Sequence, residues 1–488
     1  MRCTWKCAVV CWSNQPEITN IRDLIAVNAI RTRPVSRHCL LAGLFVCALI
    51  FQLFIPVYAW AEVINVPPGE GRLQAAVNAA KDGDILELQA GIYSGEVVIG
   101  NSVTLQGQPG TVLDGLGEGD VLRVNAADVI IRGMTLRNSG NSLDTDDSGI
   151  YVTYQGDRVL IEDNHFEDNL VGVYLKGPDD AMVRRNVIIG SQFHRMNERG
   201  NGVYLWNTPG SVIEDNDIRY GRDGILVMTS HHNVFRNNRI RDLRFAIHYM
   251  YTNDSEVSGN YSSGNHSAWA LMFSDRLTVT GNRSEGDRDR GLFLNFVNYS
   301  SLQDNHVIGG VEKCVFIYNA NMNTISGNHF EGCDIGIHFT AGSEQNKIYK
   351  NSFIANRTQV KYVGTRHIEW SLEGRGNYWS DNPAFDLNDD GISDQAYRPN
   401  SMVDQIVWQY PTAKLLLGSP VMQILRWVQS EFPAIHPGGV RDSVPLMVPA
   451  TPRHSGLDPE SIEPRHSGAG RNPFPKNTTL QLNLIYNE

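Results

Sequence analysis

From about residue 120 onward one phrase recurs: two or three apolar residues, a polar pair, an asparagine, a variable turn, then a small residue opening another apolar run. The asparagines are Asn164, Asn186, Asn216, Asn238, Asn260, Asn282, Asn305, Asn328 and Asn351, at intervals of 22, 30, 22, 22, 22, 23, 23 and 23. A single insertion near Ser191–Asn201 accounts for the long interval. The small residue that follows is Gly172, Gly202, Gly224, Ala246, Ala268, Gly291, Cys314 or Gly336. A period of 22–23 residues built from short β-type runs, with no helical pattern, predicts a parallel β-helix. One turn is too thin to bury a core, but turns stacked about 4.8 Å apart close each other's hydrogen bonds and build a continuous interior. Asparagines at one phase predict an amide ladder along one corner.

The expected architecture is all-β, a right-handed, pectin-lyase-like solenoid over residues 62–370. Leu73–Ala80 (LQAAVNAA) reads as a short helix capping the open first turn, where a bare strand edge would be adhesive. Strands are expected from Asp84–Leu88 and Gly91–Ile99 onward. Residues 371–448 form a C-terminal extension in which Val421–Phe432 has helical apolar spacing. In residues 449–488 the phrase Pro-Arg-His-Ser-Gly occurs twice amid Pro, Ser and Gly, a composition that cannot bury a core.

The N-terminus reads as an address. Arg31, Arg33 and Arg37 precede the apolar stretch Cys39–Phe51, and Ala59-Trp60-Ala61 supplies an A-x-A site, so a secretory leader cleaved after Ala61 is expected, with residues 1–30 an over-extended start. A membrane anchor fits less well, because the run is short and Pro56 interrupts it. Loss of six basic and two acidic residues with the leader takes the formal charge from −11 to −15, which argues against a nucleic-acid partner. Five of seven cysteines lie in the leader. Cys314 and Cys333 remain, a possible disulfide in an oxidising compartment, although the register sets them three positions out of line on neighbouring turns.

Counting from each small residue, positions +1 and +3 are apolar and point inward by the period-two rule. Positions +2 and +4 then point out, yet they hold Tyr174, Tyr204, Leu226, His248, Phe293, Phe316 and His338, and Trp206, Met228, Met250, Met272 and Tyr318. An apolar outer stripe suggests a binding surface. Met228, Met250 and Met272 are 22 residues apart, with His248 two residues from the middle one. Thioethers with an imidazole select Cu(I); on the residues alone, however, gap-filling methionines under a folded-over C-terminal segment are the favoured reading. His231, His232 and His266 read as solvent-exposed turn residues. Asp386, Asn388, Asp390 and Asp394, with Gly391, match the start of a calcium loop with a structural role, but Tyr397 stands where the bidentate Glu belongs.

Exported β-helices often act on acidic polysaccharides, so a carbohydrate-binding, lyase-like or epimerase-like protein is the alternative. Its base would come from Asp144, Asp146 and Asp147, or from the Asp287–Arg290 turn. The outer stripe shows little cationic lining beyond Lys176, and no GxSxG, HExxH, CxxC or GxxxxGK[ST] motif occurs, so no enzyme activity is expected.

The strings Ala246–Asp254 (AIHYMYTND), Met272–Arg276 (MFSDR), Cys314–Asn319 (CVFIYN), Gly336–Thr340 (GIHFT) and Gly374–Asp381 (GRGNYWSD), with Leu425–Trp427 and His436–Gly439, resemble the NosD family across residues 62–447. The resemblance implies a periplasmic β-helical component of an ABC-type system that serves copper-centre maturation of nitrous oxide reductase in denitrification. Its implied partners are a cytoplasmic ATPase, a membrane subunit, a copper-chaperone lipoprotein and the reductase as client. It turns the methionine stripe into an expected transient copper site, Met228, His248, Met250 and Met272, with His338 less favoured. It also makes the segment from Leu425–Trp427 to Pro445 a docking element for the membrane subunit.

Overall fold

A computed structural model describes residues 61–450, apart from 193, 363 and 433–437. The expected leader, most of the 449–488 tail and His436 therefore lie outside the described residues.

The chain winds as a parallel β-helix with three faces, which we call I, II and III in the order each turn visits them. Face I holds thirteen strands from Val63–Val66 to Lys347–Tyr349, face II thirteen from Gly91–Ser94 to Tyr378–Trp379, and face III twelve from Val97–Ile99 to Thr358–Tyr362. All adjacent strands on the faces pair parallel, residue i meeting residue i+22 or i+23 through the regular part, as at Ile225↔Ile247 and Leu292↔Val315. The register stacks like on like. Ile213, Phe235, Val257 and Val279 are consecutive partners on face I, all wholly buried.

The corner between faces I and II is the asparagine ladder. At each step the Oδ1 accepts from the backbone N–H and the Nδ2 of the preceding asparagine, while the Nδ2 donates to a strand carbonyl one rung back. Asn238 N and Nδ2 both reach Asn260 Oδ1 at 3.0 Å, and Asn260 Nδ2 reaches Phe235 O at 2.8 Å. Every rung thus satisfies buried groups that the sharp bend takes out of the strand ladders. The residue before each ladder asparagine is left-handed at most rungs, for example Asp215, Asn237 and Gly259, at φ 55°, 55° and 62°. Short Asp and Asn side chains and Gly tolerate that conformation.

The ladder runs one rung further than the sequence reading. Asn377, 26 residues beyond Asn351, receives Asn351 N and Nδ2 at 3.1 and 2.9 Å. The stack therefore continues to Tyr378–Trp379 and not to about 370. Its first strand, Val63–Val66, precedes the helix and pairs with Ile85–Leu88, ahead of the Asp84–Leu88 segment where the strands were expected to start.

Both ends are closed by devices that mimic a further rung. Helix α1 (Arg72–Ala79) buries Leu73 and Val77. Its Gln74 amide then pairs with the first strand of face III, Nε2 to Val98 O at 3.0 Å and Val98 N to Oε1 at 2.7 Å. A side-chain amide thus occupies an edge that would otherwise recruit another chain. At the far end the chain returns: Gly439–Arg441 pairs with His367–Glu369, and wholly buried Asp442 accepts from Asn377 N at 2.6 Å and Trp379 Nε1 at 2.9 Å. Burial pushes the Asp442 carboxyl up to about 6 against the pull of these hydrogen bonds.

The extension holds two α-helices where one was expected, α2 (Met402–Gln409) and α3 (Pro420–Glu431), joined by a 3₁₀ segment, Pro411–Leu416. Ser401 and Ser419 cap α2 and α3, accepting from Asp404 N and Met422 N. Val403, Val407, Ala413 and Met422 form a small core of their own. No helix among the described residues is long and apolar enough to cross a membrane.

Candidate functional site: the outer surface of face III

Because strand side chains alternate and the register is held, the outward residues of face III form two columns along the rod. One runs Tyr151, Tyr174, Tyr204, Leu226, His248, Ala270, Phe293, Phe316, His338 and Lys361. The other runs Lys176, Trp206, Met228, Met250, Met272, Asn295 and Tyr318. The three methionines are thus direct register partners on successive turns, all half-buried. The described part of the C-terminal extension packs at the end of the stack, where Asn400 Nδ2 donates to Val360 O at 2.8 Å.

The middle of the stripe is electrostatically organised. His248 Nδ1 lies 3.0 Å from Asp223 Oδ2, and Arg244 grips the same carboxylate with Nε and Nη2 at 2.8 and 2.6 Å. Burial alone would raise the Asp223 carboxyl; the hydrogen bonds from His248 and Arg244, with the Arg244 charge, bring it below its usual range. An ionised carboxylate can only accept, so the imidazole proton sits on Nδ1 and Nε2 keeps its lone pair in the neutral ring. Phe245 flanks the ring, with centroids 4.9 Å apart. Tyr204 donates its hydroxyl to the Met228 sulfur at 3.3 Å and stacks on Tyr174 at 4.4 Å.

Beside the methionines runs a strained aromatic ridge. Tyr251, Phe273 and Phe296 directly follow Met250, Met272 and Asn295, and all three are left-handed, at φ 59°, 49° and 53°. Bulky side chains pay for that conformation, yet here three in succession stack 5.2 Å apart. Tyr251 and Phe296 are 51% and 41% exposed, with Trp206 and Tyr318 alongside at 41% and 42%. Sequence alternation missed this ridge because the left-handed residue interrupts the period-two phase, at Phe273 and Phe296 within the strands Ser267–Asp275 and Arg290–Asn298 themselves.

The other expected sites fare differently. Among the described residues no three His, Cys, Asp or Glu side chains converge to hold a metal ion, and the calcium expectation is not supported. Asp386, Asn388, Asp390 and Asp394 instead cap their own turn, accepting from the backbone N–H of Gly391, Asp390, Ile392 and Leu387. Tyr397, in the place of the missing Glu, is committed to Asp381 at 2.7 Å.

Of the carboxylates considered for a polysaccharide enzyme, Asp287 is wholly buried and held by Ser262, Ser284 and Asn265 N, so it faces no substrate. Asp147 closes its own loop on Ser142 N and Thr145, whereas Asp144 is exposed. His231 is a structural residue, its Nδ1 accepting from Asn253 N at 3.1 Å, and not a free turn histidine. Cys314 and Cys333 form a disulfide across neighbouring turns with Cα atoms 5.7 Å apart; Cys333 lies in the bend before its strand, which absorbs the apparent three-position offset. The stripe is also more cationic than it reads. Arg290, Lys313 and Lys361 gather around His338, and their spacing of 23 (Arg290 to Lys313, His338 to Lys361) was the signal that could have found them.

The profile of a family described as periplasmic copper-binding protein (NosD) matches residues 82–197 and 186–384. A Stutzerimonas stutzeri protein named "Probable ABC transporter binding protein NosD" is 42% identical over 374 residues, covering 74% of this chain and 86% of its own. A Pseudomonas aeruginosa protein of the same name is 42% identical over 373 residues, covering 74% and 87%. Among solved structures, the A-module of the Azotobacter vinelandii mannuronan C-5 epimerase AlgE4 overlays 60% of this chain and 94% of its own at TM-score 0.44 and 16% identity. Matched along most of its solenoid and by two relatives over nearly their whole length, this chain belongs to the NosD family.

Proposed function

We propose that the protein is a non-catalytic, exported component of an ABC-type system that handles copper as cargo for maturation of the copper centre of nitrous oxide reductase. One observation carries this reading: three thioethers in strict register on successive turns, beside a histidine whose ring is oriented by a buried carboxylate. Stacked soft donors offer Cu(I) equivalent positions one rung apart, suited to transfer more than to tight storage. A carboxylate on the far nitrogen fixes the tautomer and the ring orientation, as partners of metal-bound histidines do. The exposed aromatic ridge beside the column supplies apolar area for a delivering or receiving protein.

The extension supplies a second contact, toward the membrane subunit. Val421 and Ile424 of α3 are 65% and 57% exposed, and Leu415 and Leu416 are 90% and 54%. With no nucleotide-binding motif in the sequence, energy enters through the ATPase partner.

The test is anaerobic Cu(I) titration of the mature chain and its Met250→Ala/His248→Ala variant, together with the copper content of co-expressed nitrous oxide reductase. The expected result is a folded variant with lost Cu(I) uptake and a copper-deficient reductase. Full maturation by the variant would remove the stripe from copper handling, and turnover of uronate polymers by the purified chain would replace this reading with a polysaccharide enzyme.

A further inference from the structure

Beyond the methionines, the outer column of face III changes character. Phe293 and Phe316 stack with centroids 5.3 Å apart and planes 5° from parallel, and Phe316 stacks on His338 at 4.8 Å. Cations crowd this aromatic floor. The Arg290 guanidinium lies 4.5 Å from the Phe293 centroid and 5.5 Å from that of Phe316, and the Lys313 ammonium lies 5.9 Å from Phe316. Lys361 is the register partner of His338 on the last turn.

These charges are largely withdrawn from water. The Lys313 side chain is 12% exposed and that of Arg290 25%. Acidic neighbours only partly offset them: Asp289 lies 3.1 Å from Arg290 and 3.9 Å from Lys313, and Glu312 lies 2.6 Å from Lys313. Among the described residues Lys361 has no ion-pair partner, and two further polar atoms here, Arg290 Nε and His338 Nδ1, are buried without a hydrogen-bond partner. Burial, then Lys361 and Lys313, hold the His338 imidazole down to about 4, and burial with Lys313 and Lys414 lowers Lys361. The protein therefore spends stability to keep like charges and unpaired donors together. That environment also repels a metal cation, which separates His338 from the copper stripe.

We infer that the Arg290, Lys313, His338 and Lys361 cluster, floored by Phe293 and Phe316, is an oxyanion-binding site at the C-terminal end of the outer stripe. Its ligand is a free phosphate-like ion or a carboxylate presented by an acidic partner segment. Arg290 offers a planar fork, the two lysines offer point charges, and the phenyl faces exclude water and strengthen each contact. The inference is independent of the copper reading, because it uses none of the methionines.

The experiment is a titration of the full-length mature protein, with ¹⁵N-labelled histidine, by inorganic phosphate at constant ionic strength, the His338 signals being assigned with His338→Phe. The expected result is a saturable shift of the His338 ring signals that equal chloride does not produce. Lys361→Met, which keeps the aliphatic stem, should weaken the phosphate Kd by about tenfold, the loss of one charge-assisted contact. Arg290→Gln serves as a second variant, and thermal melting checks that each folds. A second arm replaces phosphate with a capped peptide of six alternating Glu and Asp residues. Tighter binding of the peptide identifies a partner segment as the source, and tighter binding of phosphate identifies a free ion. A shift that fails to saturate, that chloride reproduces, or that survives both substitutions unchanged overturns the site.

Discussion

The asparagine corner and the outer surface of face III share one period and one register, yet they spend them oppositely. At the corner every repeated side chain closes groups of its neighbours: Asn260 alone serves Asn238 N, Asn238 Nδ2 and Phe235 O, all buried. On face III the repeat leaves capacity unused, in the thioethers of Met250 and Met272, a ridge of strained exposed aromatics and an unpaired Nδ1 on His338. A repeat that satisfies itself reads as architecture. A repeat of equal regularity that leaves groups unsatisfied, at a cost in strain and desolvation, reads as a surface kept for something else.

The contrast can be broken most forcefully at the corner. Asn260→Ala orphans Asn238 N–H and Phe235 C=O inside the rod and should cost about 3–5 kcal/mol in urea unfolding; a loss below about 1 kcal/mol would mean that the ladder is decorative. The next test sits where the ladder ends. Asp442 has its carboxyl raised to about 6 in the folded chain from an ordinary 3.8. The neutral acid is favoured by folding, so its contribution is complete below about pH 4 and lost as pH rises through 6. Asp442→Asn should therefore gain on the wild type by up to about 3 kcal/mol between pH 4 and pH 7, and parallel stability profiles would show that the carboxylate does not titrate against the fold.

On face III the order of effects should invert, with little change in stability and a clear change in binding. Met250→Leu conserves volume and should move stability by less than about 1.5 kcal/mol, while anaerobic competition shows Cu(I) affinity reduced about tenfold, or about 1.4 kcal/mol. Unchanged affinity would return Met250 to the role of filler. Smallest of all in folding terms, Ile424→Ser on the exposed flank of α3 should shift the melting free energy by no more than about 0.5 kcal/mol and still reduce co-purification with the membrane subunit.

Much of this was legible in the chain because each regular turn contacts residues 22 or 23 positions away, so spacing maps directly onto the stack. The columns of Met228, Met250 and Met272 and of Asn164 to Asn351 could be read off by counting. Counting failed where the period broke. Asn377 stands 26 residues after Asn351, and Val63–Val66 is parted from the next face I strand by α1. The short α2, MVDQIVWQ, runs into Tyr410-Pro411 and carries no long periodic signal. The cation cluster kept the period and was overlooked only because its members occupy different phases, Arg290 and Lys313 at the strand entry and His338 and Lys361 on the outer column.

The amino-acid sequence by itself determined the solenoid, its inner and outer faces and the alignment of three sulfurs, because a fixed repeat length sets register and alternation sets direction. Tertiary structure alone decided which groups are held in readiness. Asp223 reaches across a rung to orient His248, Asp442 returns from 65 residues away to finish the ladder at Asn377, and three cations close on one imidazole. Those meetings depend on where side chains lean and where the chain turns back, and no interval between letters encodes either.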